Sequence, residues 1–227
     1  MVNACPPYLE TFLFSQQFVE QSCVPHPISR LILTLLALAT LHTPAAELLR
    51  DDFSEAAHPV RKPTRGTWKV ENGSATCAQD DALYAKFKNH GPVIWYDVKF
   101  TDATITFQFK PDAATKTFVF TLNGAEGHIF RFVSSSRGTG IRAFPPDPPD
   151  HQSIALGKTG PALQPGQWTP VKVTLSGSQA TVQIGDSFTE VVTHPSLARA
   201  KTTLGLGFSF GTLSLKDLVV TAPAQSP

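Results

Sequence analysis

Residues 168–184 read WTPVKVTLSGSQATVQI, and residues 204–221 read LGLGFSFGTLSLKDLVVT. In the first run Val171, Val173 and Leu175 alternate with Lys172 and Thr174, and Ser176-Gly177-Ser178 makes a turn. Ala180, Val182 and Ile184 then alternate with Thr181 and Gln183, and Gly185-Asp186 makes a second turn. Side chains of a strand point alternately to its two faces, so this pattern predicts antiparallel strands with one buried side.

The rest of the chain repeats the pattern. Ile105, Phe107 and Phe109 alternate with Thr104, Thr106, Gln108 and Lys110. Val93 to Phe100, VIWYDVKF, is a further strand, and Thr117–Leu122 and His128–Val133 flank a hairpin loop, Asn123 to Gly127. Leu48 to Phe53, Gly66 to Val70, Ser74 to Ala78 and Gly138 to Phe144 supply shorter ones. Ala82 to Lys88 suits either a strand or one helical turn, and His194 to Ala198 a loop or one turn of helix. The segment PPDPPDHQ, Pro145 to Gln152, is too rich in proline for a central strand and predicts a stiff surface loop. Arg61, Lys62 and Arg65 form the densest basic cluster, expected in an exposed loop. About a dozen strands with no internal repeat predict an all-β, two-sheet antiparallel jelly-roll sandwich, in which the first and last strands become neighbours.

Composition agrees. The 227 residues are 41% hydrophobic but only 16% charged, with 16 Phe, which suits a β core better than helices. A net charge of +1 gives no electrostatic footprint for nucleic acid.

Arg30 precedes the apolar run LILTLLALATL, Leu31 to Leu41, and small residues follow up to Ala46. This is the plan of a secretory signal peptide, and the run is too short for a span of about 20 residues. The expected organisation is residues 1–46 as N-terminal extension and signal, 47–222 as one sandwich domain, and 223–227 as a disordered tail. Cleavage after Ala45 or Ala46 implies an exported protein, periplasmic or extracellular, with no stable membrane span. Cys5 and Cys23 precede that point, so Cys77 remains alone, read as a strand residue without an internal disulfide.

Three places resemble the concanavalin A-like lectin/glucanase superfamily in its laminin-G-like branch. They are Asp51-Asp52-Phe53 leading to Gly66 through Gly73, Gln167 through Val173 running into the Gly177 and Gly185 turns, and Gly205 through Phe210 closing with Leu215 to Val220. The resemblance covers roughly Arg50 to Thr221. Within it the chain is similar to secreted 3-keto-disaccharide hydrolase-like domains, although Arg50 to Phe53 stands where those domains carry a Phe-Asn-Gly-Lys-type opening. The resemblance implies a sandwich that binds or cleaves carbohydrate, and in related jelly rolls a structural Ca²⁺ near the paired termini, with Asp52 and Asp217 as oxygen ligands here.

Catalytic signatures are sparse. A retaining glycosidase needs two carboxylates about 5 Å apart, and the Glu-x-Asp-x-x-Glu run of the superfamily's glucanases does not occur. Asp97 and Glu126 remain as isolated acid/base candidates. No HxH or HExxH pattern and no G-x-S-x-G elbow is found. Planar polar side chains on the middle strands suit sugar hydroxyls: Gln108, Asn123, Arg131 and Arg142, with His128 at a strand edge. These are expected on one concave sheet. Trp168 is expected in the core, and Trp95 is left open between core and ligand platform. The preferred expectation is a monomeric, exported, non-catalytic carbohydrate-binding module without a cofactor. The alternatives are a glycoside hydrolase using Glu126 or Asp97, and an envelope or cell-surface interaction domain.

Overall fold

The computed structural model describes residues 45–146 and 152–223. The expected signal segment up to residue 44, the middle of the Pro-rich loop and the tail from 224 lie outside the described residues.

The period-two runs are strands, except that the run expected from Gly66 to Val70 is one only from Lys69 onward. In chain order they begin with β1 (Glu47–Asp51), β2 (Arg61–Thr64), β3 (Lys69–Glu71) and β4 (Ser74–Ala78). A short helix, α1 (Asp81–Lys86), precedes β5 (Val93–Phe100). Then come β6 (Ala103–Pro111), β7 (Thr117–Gly124), β8 (Gly127–Ser135), β9 (Gly138–Ala143) and β10 (Ile154–Gly160). The last five are β11 (Thr169–Ser176), β12 (Gln179–Ile184), β13 (Phe188–Thr193), β14 (Lys201–Ser209) and β15 (Thr212–Thr221). A 3-10 turn, Pro195–Ala198, separates β13 from β14. No described helix is long and apolar enough to cross a membrane.

The strands form two antiparallel sheets. The first runs β13-β12-β11-β6-β15-β4-β3, with β1 also on β15; the second runs β10-β9-β8-β7-β14-β5-β2. Glu47 pairs with Thr221 and Asp51 with Leu218, so the first and last strands are neighbours. Register explains the shared face. Val171 sits between Phe107 and Ile184, and Val173 between Ile105 and Val182. Their apolar side chains therefore line one side of the first sheet and meet the inner side of the second.

Phenylalanine joins the layers. The ring of Phe109 stacks on Phe118 at 4.1 Å, and Phe107 lies parallel to Phe120 with centroids 5.7 Å apart. Phe132 continues the stack at 5.1 Å from Phe120. All of these rings are buried. Offset aromatic pairs contribute beyond their buried area, about 0.5–1.5 kcal/mol each.

Three expectations change. Arg61 does not lie in an exposed loop; it opens β2 and is buried, with Nε 2.9 Å from Asp51 Oδ2. The Tyr96 hydroxyl donates to the same carboxylate at 2.8 Å. Burial first, and the Asp51 carboxylate second, raise the Tyr96 pKa. Pro63 sits inside β2, where the expected loop would have placed it in irregular chain; β2 is the sheet's edge, the position that tolerates a missing donor. Trp168 is not core. It is half-buried just before β11, with Lys110 Nζ at 5.0 Å and Lys216 Nζ at 4.8 Å from its ring. Residue 82–88, left between strand and helix, is mostly α1, started by Asp80, whose carboxylate accepts from Leu83 N at 2.9 Å.

Candidate functional site

Alternation that buries one face of the second sheet turns the other face outward. Register aligns one outward row across six strands. Lys62 pairs with Trp95, Trp95 with Gly205, Gly205 with Thr121, Thr121 with Arg131, and Arg131 with Arg142. The next row contains Val93, Gly207, Val119 and Val133. These rows floor a groove of about 420 Å³. Its walls are the segment Asn89–Pro92 with Tyr84 of α1 on one side, and Arg131 with His128 on the other.

Glycine makes the groove. A Cβ on Gly205 would stand 2.3 Å from Trp95 Cζ3, so the six-membered ring of the indole lies directly over the Gly205 backbone. A Cβ on Gly207 would stand 3.2 Å from Val93 Cβ. Two glycines at outward positions of a central strand thus admit a half-buried tryptophan and leave space beside it.

Across β14 from Trp95 lies a polar chain. Asn123 Nδ2 donates to Thr203 Oγ1 at 3.1 Å, and the His128 Nδ1–H donates to Asn123 Oδ1 at 2.6 Å. Arg131 then donates from Nη2 to His128 Nε2 at 2.7 Å and from Nε to Thr121 Oγ1 at 3.2 Å. This tautomer is assigned from the partners: the amide oxygen accepts and the guanidinium only donates. Phe144 backs the cluster, 5.3 Å from the Arg131 guanidinium carbon and 5.2 Å from the His128 ring. Lost hydration first, and the adjacent Arg131 charge second, lower the His128 pKa from 6.5 to about 4. His128 is therefore neutral at pH 7 and serves as an acceptor for Arg131.

The expected site residues divide. Asn123, His128, Arg131 and Arg142 share the outward face of the second sheet, where Arg142 Nη1 donates to Ser153 Oγ at 2.9 Å. Gln108 does not join them. It lies on β6 in the first sheet and donates to Asp217 Oδ2 at 2.9 Å. The two sheets present opposite outer faces, so one sugar cannot touch Gln108 and Arg131 together.

The carboxylates are also apart in function. Asp97 is exposed on β5 and ion-paired with Lys62. Glu126 is exposed in the β7–β8 turn, 3.4 Å from Arg199 Nη2. Neither lines the groove, and no other Asp or Glu does among the described residues. Asp52 and Asp217 each lie next to the last β1–β15 pair, Asp51 with Leu218; Asp52 Oδ1 accepts from Ser54 N at 2.9 Å, and Asp217 accepts from Gln108. Among the described residues no third His, Cys, Asp or Glu gathers with them. Cys77 is buried in β4, and burial raises its thiol to about 11.

Trp95, open between core and ligand platform in the sequence, lines the groove, and Gly205, Gly207 and Thr121 join it without having been expected there. The available signal was Gly205-Leu206-Gly207, with glycine at two successive outward positions of one strand.

No protein-family model matches the chain, and no curated protein matches it. Solved structures do. The carbohydrate-binding module CBM66 from Bacillus subtilis superposes with TM-score 0.54 at 9% identity, over 71% of this chain and 95% of that one. A Bacillus subtilis protein of unknown function with a galectin-like fold gives 0.58 at 10%, over 82% and 100%. The CBM2 module of the evolved Dit of Lactobacillus casei BL23 phage J-1 gives 0.53 at 13%, over 78% and 95%. At these identities the likeness is one of fold: a two-sheet antiparallel jelly-roll β-sandwich.

Proposed function

We propose that this chain is a carbohydrate-binding β-sandwich module that holds sugar in the groove on the outer face of its second sheet. The observation that carries the reading is Trp95, a half-buried indole laid over Gly205 on a face that otherwise points to solvent. A flat apolar ring beside a few oriented polar groups is the chemistry a pyranose needs, with C–H bonds on one side and hydroxyls at its edge. Thr121, Arg131, Asn89 and His90 supply hydrogen-bonding groups around it. Structural neighbours named as binding modules support the reading at the level of fold.

Binding is favoured over hydrolysis by the empty place of the acids. A glycosidase of the two-carboxylate kind needs both groups at the sugar, whereas Asp97 and Glu126 each neutralise a cation outside the groove. The signal-like segment extends the proposal to an exported protein that meets its glycan outside the cytoplasm.

The test is a glycan array of neutral and acidic oligosaccharides with the full chain, followed by calorimetric titration of any hit. Trp95→Ala is expected to weaken binding at least tenfold while shifting the melting temperature little, because the ring lies outside the core. An array without hits, or a hit bound equally by Trp95→Ala, overturns the groove assignment.

A further inference from the structure

The charge of the groove selects among sugars. Its described lining contains Arg65 and Arg131 and no carboxylate, although the whole chain carries a net charge of only +1. Arg142 stands directly across from Arg131 on β9 and extends the basic edge. Lys62 and Asp97, at the other end of the same face, cancel one another. An acid among the lining residues would have suited the hydroxyls of a neutral sugar, since carboxylates accept hydrogen bonds from them.

Arg131 is built as a fixed fork. Of the five N–H donors of a guanidinium, the Nε–H goes to Thr121 and one Nη2–H to His128. The other three have no acceptor among the described residues. Phe144 supports the group from the side, and His128 is itself fixed by Asn123. Desolvation lowers the Arg131 pKa, as expected for a cation held partly out of water. A held guanidinium with three spare donors suits the oxygens of a carboxylate or sulfate.

Distance fits one sugar unit. The indole covers Gly205 and the guanidinium leans on Thr121, and these two residues are direct cross-strand partners. The indole thus reaches over β14 and the guanidinium is anchored on β7, neighbouring strands whose axes lie roughly 5 Å apart. That is the width of a single ring whose acidic substituent reaches sideways.

We infer that the groove takes an acidic glycan, a sugar stacked on Trp95 whose carboxylate or sulfate is gripped by Arg131. The inference rests on the carbohydrate-binding reading and narrows its ligand class. His128, Asn123 and Thr121 are positioning residues that hold the fork.

Matched pairs of acidic and neutral probes test it with the full chain: oligogalacturonate against its methyl ester, sialyllactose against lactose, and a sulfated against an unsulfated galactan oligosaccharide. The expected result is that at least one acidic member binds tenfold or more tightly than its neutral partner. That affinity should fall severalfold between about 20 and 200 mM salt. Arg131→Gln should remove the preference, and Arg131→Lys, which keeps charge but loses the fork, should retain only part of it. If Arg131→Gln unfolds, the salt titration of the unsubstituted chain still decides. Equal affinity within every pair overturns the acidic class and leaves the carbohydrate reading standing. No binding to any member overturns both.

Discussion

At Arg61 a guanidinium with a side chain 3% exposed meets a carboxylate, Asp51, that is 2% exposed. Its Nη2 also donates to Glu55 O at 2.8 Å, the Tyr96 hydroxyl donates to Asp51 Oδ2, the oxygen that faces Arg61 Nε, and the Phe53 N–H donates to Oδ1. A pair this deep is tolerated because nearly every lone pair and proton has a partner; removing one member strands the other. Arg61→Met is expected to cost about 3–5 kcal/mol, read as a lowered denaturant midpoint at unchanged m-value. Lys201 poses the opposite case. Its ammonium is buried and donates to Thr101 O at 2.6 Å and to Leu197 O, and no carboxylate among the described residues is paired with it. Burial lowers its pKa from 10.5 to about 8. The unfolded chain therefore holds more protons than the folded one between those values. Stability should rise from pH 8 towards 10.5 and fall back as pH drops through 8, with a slope on the order of 1 kcal/mol per pH unit. Chemical denaturation across that range should lose this slope in Lys201→Met.

Single strands decide where the faces open. β14 is flanked by β5 and β7, yet glycine occupies both of its outward positions beside Trp95 and Val93. Gly205→Ser keeps a residue acceptable in a strand but drives Cβ into the indole. The expected outcome is a folded protein whose Trp95 ring is displaced and whose glycan binding falls at least tenfold. Circular dichroism would report the fold, and the displaced ring should change tryptophan emission, a change absent when the same substitution is made in a Trp95→Phe background. β15 uses a different device. Asp217 takes φ of 57° where Lys216 pairs with Gln108 and Val219 with Thr106, so the strand carries a bulge. That bulge turns the Asp217 carboxylate to Gln108, which is why two residues read as belonging to separate sites touch one another.

Across the whole molecule, the aromatic stack fixes how the two layers meet. Phe120 contacts Phe107 of the opposite sheet and Phe130 and Phe132 of its own strand's neighbour. Phe120→Ala should cost about 3–5 kcal/mol, measured by equilibrium unfolding, because the surrounding rings cannot close the void. The groove lies on the other side of the same strands, so core and site share a backbone: Phe120 and Leu122 face in where Thr121 faces out. Much of this was legible in the chain itself. Alternation of Val171 with Lys172, or Phe107 with Gln108, depends only on the two-residue period of a strand, and it determined an all-β sandwich and which side chains face inward. Trp168 escaped that logic because it precedes its strand, where two lysines rather than the core receive it. Period alone also cannot say which strands lie side by side. Gln108 and Arg131 are both outward residues, but pairing sends β6 to one layer and β8 to the other. Trp95, Gly205, Thr121 and Arg131 span nearly half the chain and become one row only through registers that join β5 to β14, β14 to β7, and β7 to β8. The local sequence determined the faces; the tertiary pairing, set by burial of all the apolar sides at once, decided which residues share one.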